Sequence, residues 1–182
     1  MTYRNGNYSA FYVAEPFNEI GLGANAAKDF VYYRTLQMWK AQDWAFPFID
    51  SHEKTYNVRD GSSWEETLKP RLRERLRNSK NIILFLSSRT KASRALTEEV
   101  EYGMDALGLP VIVVYPEFDP ISADGSISYA AIKLWFKVPA FKNLIKKVPS
   151  VHVPMEKESI RKALSNPDFM VQSKCAPEIY RL

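Results

Sequence analysis

Short apolar runs alternate with amphipathic segments along the first two thirds of the chain. The apolar runs predict four strands, at residues 8–14, 45–50, 81–87 and 110–115. Apolar residues that recur every third or fourth position predict helices between them, at 26–42, after Ser62 and at 93–107. Because strands that alternate with helices are typical of parallel sheets, the pattern predicts an α/β domain of the doubly wound kind.

The pattern is weaker after residue 116 but still predicts secondary structure. Three further elements are expected: a helix at 132–147 that is broken near Pro139, a fifth strand at 151–155 and a last helix at 156–165. The chain, 1–182, is therefore interpreted as one domain with its core at 8–165 and a tail at 166–182 that lies on the body.

The order of the strands predicts where a ligand would bind. Numbered along the chain, the five strands are expected in the order 2-1-3-4-5 of a flavodoxin-like parallel sheet, with helices on both faces. Ligands of such sheets bind outside the carboxyl ends of the strands where the order reverses, which here is between strands 1 and 3. The residues expected to line this crevice are Ala14, Glu15, Asp50, Ser87, Ser88 and Arg89.

Three carboxylates follow in the helix that begins beside this crevice. Glu99 lies three residues after Leu96 and four before Gly103, at the border of the buried stripe of the helix. Glu98 is expected to face solvent, and Glu101 lies further from the strand ends. Glu99 is therefore the preferred site carboxylate. Acids in a first helical turn are also favoured by the helix dipole alone, so a purely structural role is the alternative.

Composition limits the compartment and the partners. The chain has 182 residues, 46% of them hydrophobic, and a single cysteine, Cys175, which cannot form an internal disulfide. We see no signal peptide, and the longest apolar runs have about five residues, whereas a membrane span needs about 20. These features predict a cytoplasmic protein without a membrane partner.

The net charge of +4 raises the question of nucleic acid, because the basic residues concentrate at 69–80. Acidic residues are interleaved with this basic run, which favours a solvated helix face with internal ion pairs. Nucleic acid is accordingly not an expected partner.

Several chemistries lack the residues that they need. The segment 21–26 matches the glycine pattern of dinucleotide-binding loops but lies about seven residues after the first strand instead of directly after it. Ser87 and Ser88 stand where a phospho-receiver domain needs an aspartate. His52 and His152 have no neighbours at metal-ligand spacing, so no metal site is expected.

The order and spacing of four segments carry a family resemblance. They are FYVA at 11–14, YYRTLQMW at 32–39, FIDSHEKTYNVRDGSSWEETLKPRLRERLRNSKNIILFLSS at 48–88 and ALTEEV at 95–100. The chain resembles the bacterial TIR-like family that includes the ThsB proteins of Thoeris anti-phage systems. ALTEEV falls where that family tends to show W-V-x-x-E-I, so its acid corresponds to Glu99.

The resemblance implies that Glu99 is catalytic and that the nicotinamide–ribose bond of NAD⁺ is cleaved, with NAD⁺ as substrate and no cofactor. Ala95 stands at the position of the family tryptophan, so an aromatic wall beside Glu99 would come from Tyr102 or Phe17. Some relatives cyclise the ADP-ribose product into a signal for an effector protein. A downstream effector and a second copy of the chain are thus the candidate protein partners. A non-catalytic signalling or interaction module and a domain that binds another nucleotide remain alternatives.

Overall fold

Two strands rich in apolar residues form the centre of a parallel sheet in the computed structural model, which describes residues 8–11, 27–50 and 63–182. These strands are Ser79–Phe85 (β2), which is apolar from Ile82 onward, and Val111–Tyr115 (β3), which is apolar throughout, and helices cover both faces of the sheet. The described part of the sheet has five strands in chain order, all parallel to their neighbours. The other three are Tyr8–Phe11 (β1), Ser150–Pro154 (β4) and Ile179–Arg181 (β5).

The connections between these strands are largely helical. The α-helices are Ala27–Gln42 (α1), Lys69–Arg77 (α2), Arg94–Val100 (α3), Tyr129–Trp135 (α4), Pro139–Leu144 (α5) and Lys157–Ser165 (α6). A π-helical turn, Trp64–Leu68, leads into α2, and a second, Glu101–Ala106, continues α3. A short 3-10 turn, Pro167–Phe169, follows α6.

Alternate side chains of the strands enter two separate cores, because neighbouring residues of a strand point to opposite faces. Ile82, Val111 and Val113 pack with the helices α2 to α5. Ile83, Ile112 and Val114 pack with α1 and α6 on the other face. Both faces are therefore covered, as the doubly wound interpretation requires.

The predicted order 2-1-3-4-5 is not confirmed, because residues 45–50 do not form a strand. Only one bridge, Ser9 to Asp50, joins this segment to β1, which is otherwise the outermost strand of the described sheet. The ammonium group of Lys40 donates to the carbonyls of Trp44 and Phe46, so these acceptors are already used by a side chain. Pro47 additionally lacks a backbone donor.

The tail contributes the fifth strand instead. Ile179–Arg181 pairs in parallel with Ser150–His152, so part of the segment predicted to lie on the body is integrated into the sheet. The break predicted at Pro139 is confirmed, because α5 begins there. Residues 12–14 of the first predicted strand are outside the described residues.

A buried polar chain interrupts the core beneath α4. The indole Nε1 of Trp135 donates to the Tyr115 hydroxyl at 2.7 Å, and that hydroxyl lies 2.8 Å from Nδ1 of His152. Since the Tyr115 oxygen already accepts a hydrogen bond from Trp135, we infer that the Tyr115 hydroxyl donates its own proton in a hydrogen bond to Nδ1 of His152. Nδ1 is then the acceptor, so the proton of the neutral imidazole is on Nε2. Nε2 has no hydrogen-bond partner in the described structure. Burial, with a smaller effect from the charge of Arg181, lowers the pKa of His152 to about 3.

This histidine is expected to make the domain less stable as the pH falls from about 6.5. Its folded pKa is below the unfolded value, so the unfolded chain binds the proton first and is favoured on acidification. One proton corresponds to at most about 1.4 kcal/mol of unfolding free energy per pH unit. Urea denaturation measured between about pH 5 and 7 should show this slope in the wild type and a flatter one in His152→Gln. Equal slopes for the two proteins would show that His152 is not the titrating group.

Candidate functional site

The loop after β2 is built as a tight turn that opens into α3. The backbone N–H of Ser87 donates to Oγ1 of Thr90 at 2.9 Å, and the N–H of Arg89 donates to Oγ of Ser87 at 3.2 Å. Ser93 then caps α3 by accepting from the N–H of Leu96. Ser87 is thus buried and engaged in the turn, whereas Arg89 is exposed.

Ser88 connects this turn to the loop after β3. Its backbone N–H and its hydroxyl donate to the two carboxylate oxygens of Glu117, at 2.8 and 2.6 Å. Its carbonyl accepts from the ammonium group of Lys137. The hydroxyl bond, with smaller effects from the backbone bond and from nearby cations, lowers the pKa of Glu117. The loops after the two central strands are therefore held together at the carboxyl edge of the sheet.

Glu99 is fully buried between α3 and α2. Its side chain has no exposed surface, and its Oε1 lies 3.5 Å from Nη2 of Arg75, which is itself 13% exposed. Among the described residues, neither carboxylate oxygen has a hydrogen-bond partner. Burial raises the pKa of Glu99, and the guanidinium of Arg75 opposes that rise. Glu99 lies six positions after the helix cap, about 9 Å along the axis, so Arg75 and not the helix terminus is its counter-charge.

The prediction that Glu98 faces solvent is wrong. Its Oε1 accepts from the guanidinium of Arg73 at 2.6 Å, its Oε2 lies 3.6 Å from Nζ of Lys69, and only 14% of its side chain is exposed. Helical spacing within α3 places Glu98 away from the buried stripe, but α2 covers the side of α3 on which Glu98 lies. Two adjacent glutamates consequently each face cations of α2, one at the surface and one in the interior.

Tyr102 also packs against α2. Its hydroxyl accepts from Arg77 at 3.0 Å, and the guanidinium of Arg73 lies 4.6 Å from the centre of its ring. One face of the Tyr102 ring is thus covered by a cation. The structure brings Tyr102 and Glu99 to the same helix pair, about two turns of helix from the turn at Ser87.

Asp50 lies at the opposite side of β1 from β2. The Tyr33 hydroxyl and the Gln37 amide of α1 donate to its Oδ2, at 2.5 and 3.2 Å. The three remaining predicted site residues, Ala14, Glu15 and Phe17, lie outside the described residues. The arrangement of the complete predicted crevice therefore remains a prediction.

Comparison with protein families gives one match across this architecture. The model of the Thoeris protein ThsB TIR-like domain matches residues 8–120, well over half of the chain. This chain belongs to that family. The resemblance drawn from the sequence is thereby confirmed, and the matched interval includes β1 to β3 and both helices of the Arg75–Glu99 pair.

Two charged residues of the TIR-like domain that contact predicted site residues are not singled out by the sequence patterns. Arg75 was not distinguished within the basic run 69–80, although its position three residues after Leu72 and one before Leu76 places it near the buried face of α2. Glu117 follows the end of β3 by two residues, where the sequence predicts no structural element. Both are charged residues next to buried apolar positions. This proximity is the feature of the sequence from which they could have been identified.

The ion pairs of the TIR-like domain account for much of its basic run. Lys69 pairs with Glu65 and Glu98, and Arg73 and Arg75 pair with the two glutamates of α3. The predicted internal pairing is therefore present, but most of it is made with α3. No cluster of three metal-ligating side chains occurs among residues 8–11, 27–50 and 63–182, and no helix in those ranges could cross a membrane.

Proposed function

We propose that this TIR-like domain cleaves the nicotinamide–ribose bond of NAD⁺ and that Glu99 is the catalytic carboxylate. The observation that supports this most is that Glu99 is fully buried and that no residue in the described part of the chain forms a hydrogen bond to either of its oxygens. A buried carboxylate costs several kcal/mol of solvation free energy, which a single ion pair at 3.5 Å offsets only in part. An apolar side chain would pack there at lower cost, so a chemical role explains the carboxylate better than a structural one.

The reaction needs a negative charge that stabilises the ribose cation, and it does not need a general acid that protonates the leaving group. Nicotinamide is already cationic in NAD⁺, so the electron pair of the breaking C–N bond neutralises it and no proton has to be supplied. The ribose carbon becomes oxocarbenium-like, and a preorganised carboxylate stabilises that charge. Water, or a hydroxyl or ring nitrogen of the same molecule, then forms the new bond to this carbon, giving linear or cyclic ADP-ribose with release of one proton.

Arg75 has a defined part in this proposal. Burial alone would leave Glu99 protonated and neutral, and a protonated carboxyl group cannot stabilise a cation. The guanidinium at 3.5 Å opposes protonation without forming a short bidentate bond that would use both oxygens. Arg75 thereby favours the ionised form of Glu99 that the reaction needs, against the effect of burial.

The buried position of Glu99 requires that the site open before NAD⁺ can reach it. π-helical turns are rare and are often found at functional sites, and here one precedes α2 and one follows α3. We propose that the substrate enters at the carboxyl edge past Ser87, Ser88 and Arg89, with Glu15, Ala14, Phe17 and Asp50 as further binding residues. Opening would be coupled to a trigger, so the resting domain would be silent.

Product analysis tests this function. The purified chain is incubated with NAD⁺, alone and with extract from phage-infected bacteria as a source of the trigger, and the products are resolved by mass. Nicotinamide together with linear or cyclic ADP-ribose is the expected result. NAD⁺ that stays intact under both conditions would contradict the proposal.

A non-catalytic signalling module is the second candidate. The alanine at position 95, which packs at the edge of the core where the family tends to show tryptophan, favours it. In that case the TIR-like domain would act in cytoplasmic defence signalling through an effector protein or a second copy of itself. The same product analysis separates the two candidates, because only the catalytic one consumes NAD⁺.

A further inference from the structure

A lysine-rich surface lies on α4 and α5, beyond the end of the family match at residue 120. Residues 125–155 contain five lysines and no acidic residue. Lys137 donates to the carbonyl of Ser88, and Lys147 pairs with Asp105. In the described part of the chain, Lys133, Lys142 and Lys146 form no ion pair, so this surface has unneutralised positive charge.

Two aromatic rings stand among these lysines with most of their surface in solvent. Tyr129 is 72% exposed and Phe136 is 59% exposed. They are seven residues apart, about two helical turns or 10 Å, and so lie on the same side of the segment. The opposite side of α4 is buried in the core, so the helix is already held in place without them.

Each ring is paired with one of the free lysines. Nζ of Lys133 lies 4.5 Å from the centre of the Tyr129 ring, and Nζ of Lys142 lies 3.6 Å from that of Phe136. A cation over one face of a ring orients the ring and leaves its other face open. A flat, uncharged group could then stack on the open face beside an ammonium group.

We propose that this aromatic and lysine surface binds single-stranded nucleic acid. Proteins that bind single strands combine cations that follow the phosphates with aromatic rings on which bases stack, and here both occur in one acid-free segment. The sequence-based expectation that nucleic acid is not a partner was drawn from the run 69–80. The structure pairs much of that run with glutamates, whereas Lys133, Lys142 and Lys146 of the α4–α5 surface have no such partner among the residues that the structure describes.

A membrane fits this surface less well. Helices that lie in a bilayer interface bury a continuous apolar face, but the apolar residues of α4, which are Ala131, Leu134 and Trp135, face the core. Only two separate rings would reach the lipid. Duplex nucleic acid also fits less well, because its bases are already stacked and the rings would have no role.

Fluorescence anisotropy with a labelled oligothymidylate of about 10 nucleotides tests the proposal on the intact chain. Binding should weaken between about 50 and 200 mM salt, with a logarithmic slope of about −2 for three lysine–phosphate contacts. Tyr129→Ala and Phe136→Ala should each weaken binding by about tenfold. Replacing Lys133, Lys142 and Lys146 with glutamine should remove most of the salt dependence.

Matched control variants distinguish binding at this surface from nonspecific binding through exposed aromatic residues or net charge elsewhere. Trp44→Ala removes an aromatic side chain that is 87% exposed elsewhere, and Lys147→Gln removes a lysine that is already paired. Both should leave the affinity unchanged, and thermal melting should show that every variant is folded. The proposal would be overturned by no binding, by equal binding to a duplex, by preference for vesicles of anionic lipid, or by ring variants that bind as tightly as the wild type.

Discussion

Replacing Arg75 with methionine is expected to lower the free energy of unfolding by about 3–5 kcal/mol at neutral pH. Methionine keeps most of the alkyl stem but removes the guanidinium, which leaves the charge of the fully buried Glu99 without its partner at 3.5 Å. Without that partner the folded pKa of Glu99 rises further above its unfolded value. Glu99 then favours the folded state in its protonated form, and this stabilisation is lost as the pH rises through the folded pKa.

Urea denaturation at two pH values measures this effect. The loss of stability should be smaller near about pH 5 than near pH 8, since protonation of Glu99 removes the unpaired charge. The double variant Arg75→Met, Glu99→Gln should recover most of the loss. Arg73→Met is the matched control, because its pair with Glu98 is partly exposed and should contribute only about 1 kcal/mol or less. A loss that is equal in both single variants would contradict the inferred role of the buried pair.

Glu99→Gln is expected to reduce the rate of nicotinamide release by about 10²–10³-fold. Glutamine keeps the size and shape of the side chain but removes the charge that the proposal assigns to stabilising the ribose cation. Glu98→Gln makes the same chemical change one residue away. Because Arg73 and Lys69 already neutralise Glu98, its replacement should alter the rate only a few-fold.

The rates of both variants are measured under the conditions in which the wild type releases nicotinamide, and thermal melting confirms that they are folded. Retention of full activity by Glu99→Gln would remove Glu99 from the reaction. Glu15 and Glu101 would then be the next acids to examine. Loss of activity in both variants would point instead to the integrity of the α2–α3 interface.

The central strands could be predicted because their sequence has few alternatives. Within the predicted strands 81–87 and 110–115, residues 82–86 and 111–115 are short, continuously apolar runs bounded by polar or turn residues, and the structure has strands at Ser79–Phe85 and Val111–Tyr115. The helix break at Pro139 is equally local, since a proline removes a backbone donor. Such features depend on neighbouring residues alone.

The edges of the sheet depend on distant contacts and could not be predicted in this way. Residues 45–50 read as a strand, but the ammonium group of Lys40 binds the carbonyl of Phe46 and that of the preceding Trp44, and among the described residues the segment contributes one bridge. Ile179–Arg181 is only three residues long and becomes a strand because Ser150–His152 is beside it. Neither partner is visible in the local pattern.

At the candidate site too, features that depend on neighbouring residues could be predicted, whereas those that depend on contacts between helices could not. The position of Glu99 near the buried stripe of α3 could be inferred from helical spacing, and the family resemblance selected the same residue. Its complete burial and its pairing with Arg75 require knowledge of how α2 packs on α3. The misassigned exposure of Glu98 has the same cause.

The most direct test of catalysis by the Glu99 carboxylate compares the ionisation of Glu99 with the rate of nicotinamide release. The δ-carboxyl carbon of Glu99 is titrated by ¹³C NMR, with Glu99→Gln identifying the resonance, and nicotinamide release is measured over the same pH range. We expect the chemical shift and the rate to change with the same midpoint pH, which lies above the ordinary pKa of glutamate. We also expect the rate to rise as Glu99 ionises. A rate that is independent of this titration, or that falls as Glu99 ionises, would contradict catalysis by this carboxylate.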